Sequence, residues 1–346
     1  MNTSRRAFGL GVAALATGLS LGAQAADPEH TFSIHHFLSP KALNHAQMIE
    51  PWAKSIEEAS GGRIAFEIFP SMSLGGKPPE LYSQVRDGVV DIVWTLPGYT
   101  PGVFPRVEVF ELSDVHGGSA LATNLAIQDL MGDLAEDFTD VHPLLVHVHS
   151  GNALHLTQTD VKGVDDVKGL KLRSPSRTGA WMLDSWGAEP VGMPVPALPQ
   201  ALAKNTVDGA LVPFEIAIPL KLAELTDHSV EMKDGERFGT STFLFAMNKD
   251  SYDSLPDDLK KIVDDHSGGT LAKTAGEAWD SIEPLGKKVA TDAGKTVTQL
   301  SDEATAEFKA LESSVSDTWK KEVSELGIDG EALYDKAKAA VEAHTN

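Results

Sequence analysis

Apolar and polar residues repeat along this chain with two different periods. Met48, Ile49, Trp52, Ala53 and Ile56 recur at three- and four-residue spacing and stop at Gly61-Gly62, which predicts a helix. The segment "RIAFEIFP" that follows alternates and ends in Pro70, which predicts a strand. "PPELYSQVRDGVVDIVWTLPGY" then predicts a helix opened by prolines, a stop at Gly88, a buried strand from about Val89 to Leu96 and a Pro97-Gly98 turn. Near residue 151 the alternation restarts with the strand "GLKLRSP" and a helix over about 177–186 stopped by Gly187. The segment "EPVGMP", a helix over "PALPQALAKN" and the strand "DGALVPF" follow. "VRDGVVDIVWTLP" and "KNTVDGALVP" share one device: a helix end, an Asp-Gly turn, an apolar strand and a proline. After Gly239, "TSTFLFAMNKDSYDSLPDDLKKIVDDH" predicts a last apolar strand that crosses back to the first block, then charged helical sequence nearly to the end.

The first 25 residues follow neither period. They have a charged start, an apolar middle from about Leu10 to Leu21 and a small-residue end at Ala23-Gln24-Ala25, the pattern of a removable export signal. Arg5-Arg6, preceded by Ser4 and followed by Phe8, resembles the twin-arginine type; the match is partial, and ordinary secretory export stays open. Cleavage near Ala25 leaves 321 residues, which at ~100–200 per domain predicts two domains. The expected division is 1–25 signal, 26–150 first lobe, 151–238 second lobe, and 239–346 a return strand with spanning and C-terminal helices. Nothing after the signal approaches ~20 uninterrupted apolar residues. The chain has no cysteine, so neither disulfides nor a lipid on an N-terminal cysteine is expected, and a free periplasmic protein is. The net charge of −21 becomes −23 once Arg5 and Arg6 are removed. That field disfavours nucleic acid, and an anionic ligand would need a local positive charge to offset it.

Two α/β blocks joined by crossing segments form a cleft, and ligands of open α/β sheets bind outside the carboxyl ends of strands. Arg173 sits at such an end, between Leu172 and Ser174. Trp94, Tyr99, Phe104 and Phe214 lie on or just after the two Asp-Gly strands, where aromatic rings would stack on a ligand and exclude water. His35 and His36 follow the first strand; alternation lets one of them face the ligand, and His36 is favoured. His147 and His149 share a strand face, with His155 beyond as a candidate ligand contact. No third metal ligand accompanies them at a recognisable spacing and no His-Glu-x-x-His occurs, so no metal or other cofactor is expected. Arg177, at the start of a helix, either supplements an anion site there or pairs with Asp and Glu, the favoured reading. An exported hydrolase is the alternative of another class. It lacks support, because there is no Gly-x-Ser-x-Gly, no cysteine nucleophile and no spaced metal set.

"DDVKGLKLRSPS", "MLDSWGAEPVGMPVPALPQAL" and "NTVDGALVP" resemble the extracytoplasmic solute-binding receptors of TRAP transporters, the DctP-type family. "PWAKSIEEASGGRIAFEIFPSMSLGG", "VRDGVVDIVWTLPGYTPGVFPRVEVFEL" and "FAMNKDSYDSLPDDLKKIVDD" extend the resemblance over nearly the whole mature chain. The resemblance implies a two-lobed periplasmic binding-protein fold of α/β class with a central ligand cleft and a long lobe-spanning helix. It also implies a receptor, expected as a monomer, that delivers a small carboxylate to membrane permease subunits. The arginine of the "GLKLR" strand, here Arg173, is implied as the carboxylate anchor, since a planar guanidinium grips a carboxylate through two parallel hydrogen bonds. The chain departs from the commoner pattern twice. "NALHLTQ" puts Leu154 and His155 where many members carry a second arginine, and "DGALVP" puts Val212 where many have a ligand-touching asparagine. Leu211 and Val212 offer no acidic metal ligand, with Glu215 slightly beyond. One cation in an apolar cleft favours an aromatic or apolar monocarboxylate, with or without a hydroxyl group. Dicarboxylates, 2-oxo acids and sugar acids are the alternatives within the family.

Overall fold

The computed structural model describes residues 27–345, so the expected signal sequence lies outside the described residues. Among the described residues eleven strands build two sheets. One orders β2 (Ile64–Phe69), β1 (His30–His36), β3 (Ile92–Thr95), β10 (Thr242–Asn248) and β4 (Val141–Val148). The other orders β11 (Thr296–Gln299), β9 (His228–Glu231), β5 (Ala153–Leu156), β8 (Gly209–Val212), β6 (Lys171–Ser174) and β7 (Glu189–Gly192). The interior strands read as continuous apolar runs because helices cover both of their faces; every residue of β3, β8 and β10 is buried.

The two sheets exchange strands. The chain leaves the first sheet at Val148 and enters the second at Ala153, then returns between Glu231 and Thr242. The strands that arrive by crossing, β5 and β10, run antiparallel to their neighbours, whereas β1, β2 and β3, and β6, β7 and β8, are parallel. The two crossings are tied together: Asn152 N–H donates to Gly239 O at 2.8 Å, and Phe238 N–H donates to Asn152 O at 3.0 Å. The architecture is the expected two-lobed α/β fold.

Two elements differ from the sequence reading. β3 begins at Ile92 rather than near Val89, because Asp87–Val90 close the preceding helix through turns onto Ser83, Gln84 and Val85, which leaves Val89 exposed. The C-terminal region also contains β11, a four-residue edge strand parallel to β9 whose "TVTQ" is too short and too polar to stand out between helices.

The helix Gly268–Asp292 spans the lobes, packing on the helix Ala120–Asp129 and β4 of the first and on Phe214–Leu220 and β11 of the second. Its glycines set how closely it approaches each. A methyl group at Gly276 would run into the Leu121 backbone, and one at Gly286 into the Phe214 carbonyl. Among the described residues no helix is long and apolar enough to cross a membrane.

Gly286→Ala should therefore lower stability. Overpacking costs about 1–3 kcal/mol, more than the ~1 kcal/mol that alanine gains in helix propensity. Urea denaturation checks this; an unchanged or higher midpoint would mean that the helix retreats from Phe214 at no cost.

Candidate functional site

A cavity between the lobes collects the carboxyl ends of the parallel strands. Phe37 and Leu38 follow β1, Leu96 and Tyr99 follow β3, Arg173 is the last residue but one of β6, and Val212, Glu215 and Ile216 lie at and after the end of β8. The crossings add His149, Asn152, Ser241 and Phe243, and the spanning helix adds Trp279. Of the residues expected from sequence, Arg173, Trp94, Tyr99 and Val212 meet here.

Arg173 is 2% exposed, and no carboxylate pairs with it among the described residues. Its Nε–H donates to Met193 O and one Nη1–H to Leu211 O, both at 3.0 Å. These carbonyls lie just beyond β7 and within β8, the strands flanking β6, so the sheet itself fixes the plane of the guanidinium. Burial pushes the Arg173 pKa down, and the Tyr99 hydroxyl beside it partly offsets this. Tyr99 oxygen also accepts Val195 N–H at 2.9 Å, which leaves its own hydrogen free to donate.

His149 is buried, and burial holds its imidazole well below the usual histidine pKa, with the Arg173 charge acting in the same direction. Its Nδ1 accepts Gly151 N–H at 3.0 Å, so the ring proton sits on Nε2 as a neutral donor. His147 is committed elsewhere. Trp94 Nε1–H donates to its Nε2 at 2.9 Å, and its Nδ1 faces Val148 O at 3.2 Å. Trp94 stacks on Phe243 with centroids 4.7 Å apart and packs on Phe37 at 5.0 Å, making an aromatic wall.

Four expected residues, His36, His155, Phe214 and Phe104, lie outside this cavity. His36 turns to His45, with Nε2 and Nδ1 2.9 Å apart, and burial lowers its pKa to about 3; the next residue, Phe37, reaches the cavity instead. His155 Nδ1 meets Ser229 Oγ at 3.0 Å, and its ring packs edge-on against Phe214. Phe214 begins a new helix after Pro213, so the alternation of β8 no longer directs it. It packs on the spanning helix beneath Arg237 and Lys287. Phe104 packs between Tyr82 and Phe138. Arg177 pairs with buried Glu108 through two hydrogen bonds at 2.7 and 2.6 Å.

Glu215 and Asn44, neither chosen from sequence, also line the cavity. Glu215 accepts Trp279 Nε1–H at 3.2 Å, while burial and then the neighbouring Glu283 push its pKa up to about 8, a shift that favours the protonated acid. Asn44 is 1% exposed, and neither its oxygen nor its nitrogen has a partner among the described residues.

Two lobes closing on a cavity with an unpaired buried cation define a binding protein for a small anion. Residues 34–322 match the bacterial extracellular solute-binding protein family 7, DctP, and the chain belongs to it: a TRAP-transporter extracytoplasmic solute-binding protein, a receptor and not an enzyme. A marine metagenome TRAP solute-binding protein specific for aromatic acid ligands, solved with 3-hydroxybenzoate, is 42% identical. It covers 91% of this chain and 99% of its own, with a TM-score of 0.89. A Rhodoferax ferrireducens TRAP solute-binding protein with copurified benzoate is 39% identical over 91% of this chain and 98% of its own, with a TM-score of 0.88. The ectoine/5-hydroxyectoine-binding periplasmic protein UehA of Ruegeria pomeroyi is 24% identical over 96% of this chain and 97% of its own.

The raised Glu215 pKa has a defined consequence for stability. Between the ordinary 4.5 and about 8 the folded chain keeps a proton that the unfolded chain has lost, so stability falls as pH rises through that window. Glu215→Gln, which keeps the shape and cannot ionise, should lose less stability than wild type between about pH 5 and 8 in chemical denaturation. Equal slopes would mean that Glu215 titrates as an exposed acid does.

Proposed function

We propose that this protein captures an aromatic monocarboxylate in the periplasm and delivers it to TRAP permease subunits. The observation that carries the reading is a buried, permanently charged Arg173 without a counter-charge, facing a cavity walled by Trp94, Phe37 and Phe243. The carboxylate completes the ion pair, with the free guanidinium donors, Tyr99 O–H and His149 Nε2–H converging on its oxygens. The aromatic wall holds the ring and keeps water from the pair, which strengthens it. The benzoate and 3-hydroxybenzoate bound by the two similar structures support the same ligand class. A dicarboxylate or sugar acid has less support: Val212 and Leu154 supply neither the second cation nor the amide that many family members have.

In this mechanism residues 26–150 and 151–238 act as the two lobes, with the return strand and spanning helix from 239 onward joining them. Ligand contacts from both lobes favour the closed form. Tyr99 reaches Val195 across the cleft, and Gly98 lies against Ser176.

Thermal-shift screening against carboxylates tests the class, because a ligand at ~100 times its Kd adds about 2.7 kcal/mol. Benzoate and 3-hydroxybenzoate should raise the Tm; no shift with any aromatic acid would overturn the reading. Arg173→Ala should weaken benzoate binding by about 2–5 kcal/mol in calorimetry, the cost of truncating one partner of a buried charge pair. Unchanged affinity would remove Arg173 from the anchor role. In Gly98→Ala the new methyl meets Ser176 Cβ at 2.6 Å in the closed form, so affinity should drop by about 1–3 kcal/mol, the cost of overpacking. Undiminished affinity would show that closure does not need this contact.

A further inference from the structure

We propose that Asn44 and Glu215 form a second polar subsite in the cavity, which takes a hydroxyl group on the ligand's ring while Arg173 holds the carboxylate. The proposal deepens the aromatic-acid reading and rests on it. Asn44 stands at the start of the helical turn Asn44–Ile49, which packs on the spanning helix, and the spanning helix also carries Trp279. Trp279 fixes Glu215 by donating to its Oε1. Both side chains are thus anchored beside the same helix, one from each lobe.

The chemistry of the pair selects its occupant. A buried amide with no partner on either atom is costly, at roughly 1–3 kcal/mol for each group left unsatisfied, so a polar group in the cavity that completes Asn44 is favoured. Asn44 offers one donor group and one acceptor, and a protonated Glu215 offers an O–H donor and a remaining acceptor. The complement of two uncharged donor-acceptor groups is a neutral group that itself donates and accepts, which a hydroxyl does. A second carboxylate would find no cation here.

Calorimetry with benzoate and 3-hydroxybenzoate on wild type, Asn44→Leu, Glu215→Leu and Glu215→Gln separates the possibilities. Wild type should favour 3-hydroxybenzoate by roughly tenfold, the scale of one hydrogen-bonded hydroxyl that would otherwise leave buried groups unpaired. The affinity ratio should collapse toward one in Asn44→Leu and Glu215→Leu and persist in Glu215→Gln, which mimics the neutral acid. Measurable benzoate binding in each variant verifies folding and an intact clamp. A wild type that binds both acids equally, or a preference that survives Asn44→Leu, overturns the subsite and leaves the receptor reading standing. A wild type that binds neither acid overturns the aromatic-acid reading, and the subsite with it.

Discussion

A guanidinium cannot give up its proton at physiological pH, so a buried one must be paid for elsewhere in the structure. At Arg173 the fold does this only in part. Two backbone carbonyls and a phenol oxygen accept from it, but all are dipoles, and desolvating an unpaired ion costs several kcal/mol even after such relaxation. The residual cost is what gives an anion its affinity. It also explains how a chain of net charge −21 receives an anion, since at ~0.1 M salt the surface field is screened beyond about 10 Å, whereas a desolvated cation is screened much less.

The rest of the architecture follows from presenting that cation to both lobes. Arg173 belongs to the second sheet, while Trp94 lies in the first and Phe37 and Tyr99 follow its strands, so these side chains line one cavity only when the lobes are together. The joint between them is polar and densely paired. Arg237, just before β10, bonds Glu231 at the end of β9 and Glu283 on the spanning helix; Lys287 joins the same Glu231 at 2.6 Å; and Glu283 accepts the backbone N–H of Glu215 at 3.0 Å. The crossing segments, the spanning helix and the cavity wall therefore share one network, which ties the position of Glu215 to the joint.

The parts of this arrangement that were legible in the sequence are those carried by strand alternation and punctuation. The order of helices and strands, the two Asp-Gly strands, and Arg173, Trp94, Tyr99 and Val212 at strand ends all follow from local pattern or family likeness. Two of the differences fall where a strand stops: His36 is the last residue of β1 and Phe214 lies just past β8, and the cavity is reached by the next residue along in each case, Phe37 and Glu215. Phe243, Trp279 and Asn44 reach the cavity from a returning strand, a spanning helix and a short turn, none of which supplied a candidate site residue from local pattern. Only tertiary placement brings them in. His149 was legible as a chemically notable residue but not in its role, because the neutral-donor state depends on Gly151 bonding its Nδ1.

Selectivity in such a cavity comes as much from what is missing as from what is present. A monocarboxylate finds one cation, and its ring replaces water against apolar walls. A second carboxylate would have to be desolvated beside Val212, Leu96 and a neutral Glu215, with no charge to receive it, a cost of several kcal/mol for each unpaired ion. Replacing a polar amide by Val212 thus rejects polar competitors more strongly than it attracts apolar ligands, since one buried methylene is worth only about 0.8 kcal/mol. The raised pKa of Glu215 bears on the same discrimination: burial favours its protonated form, and a neutral acid would neither repel a carboxylate in this cavity nor recruit a cation.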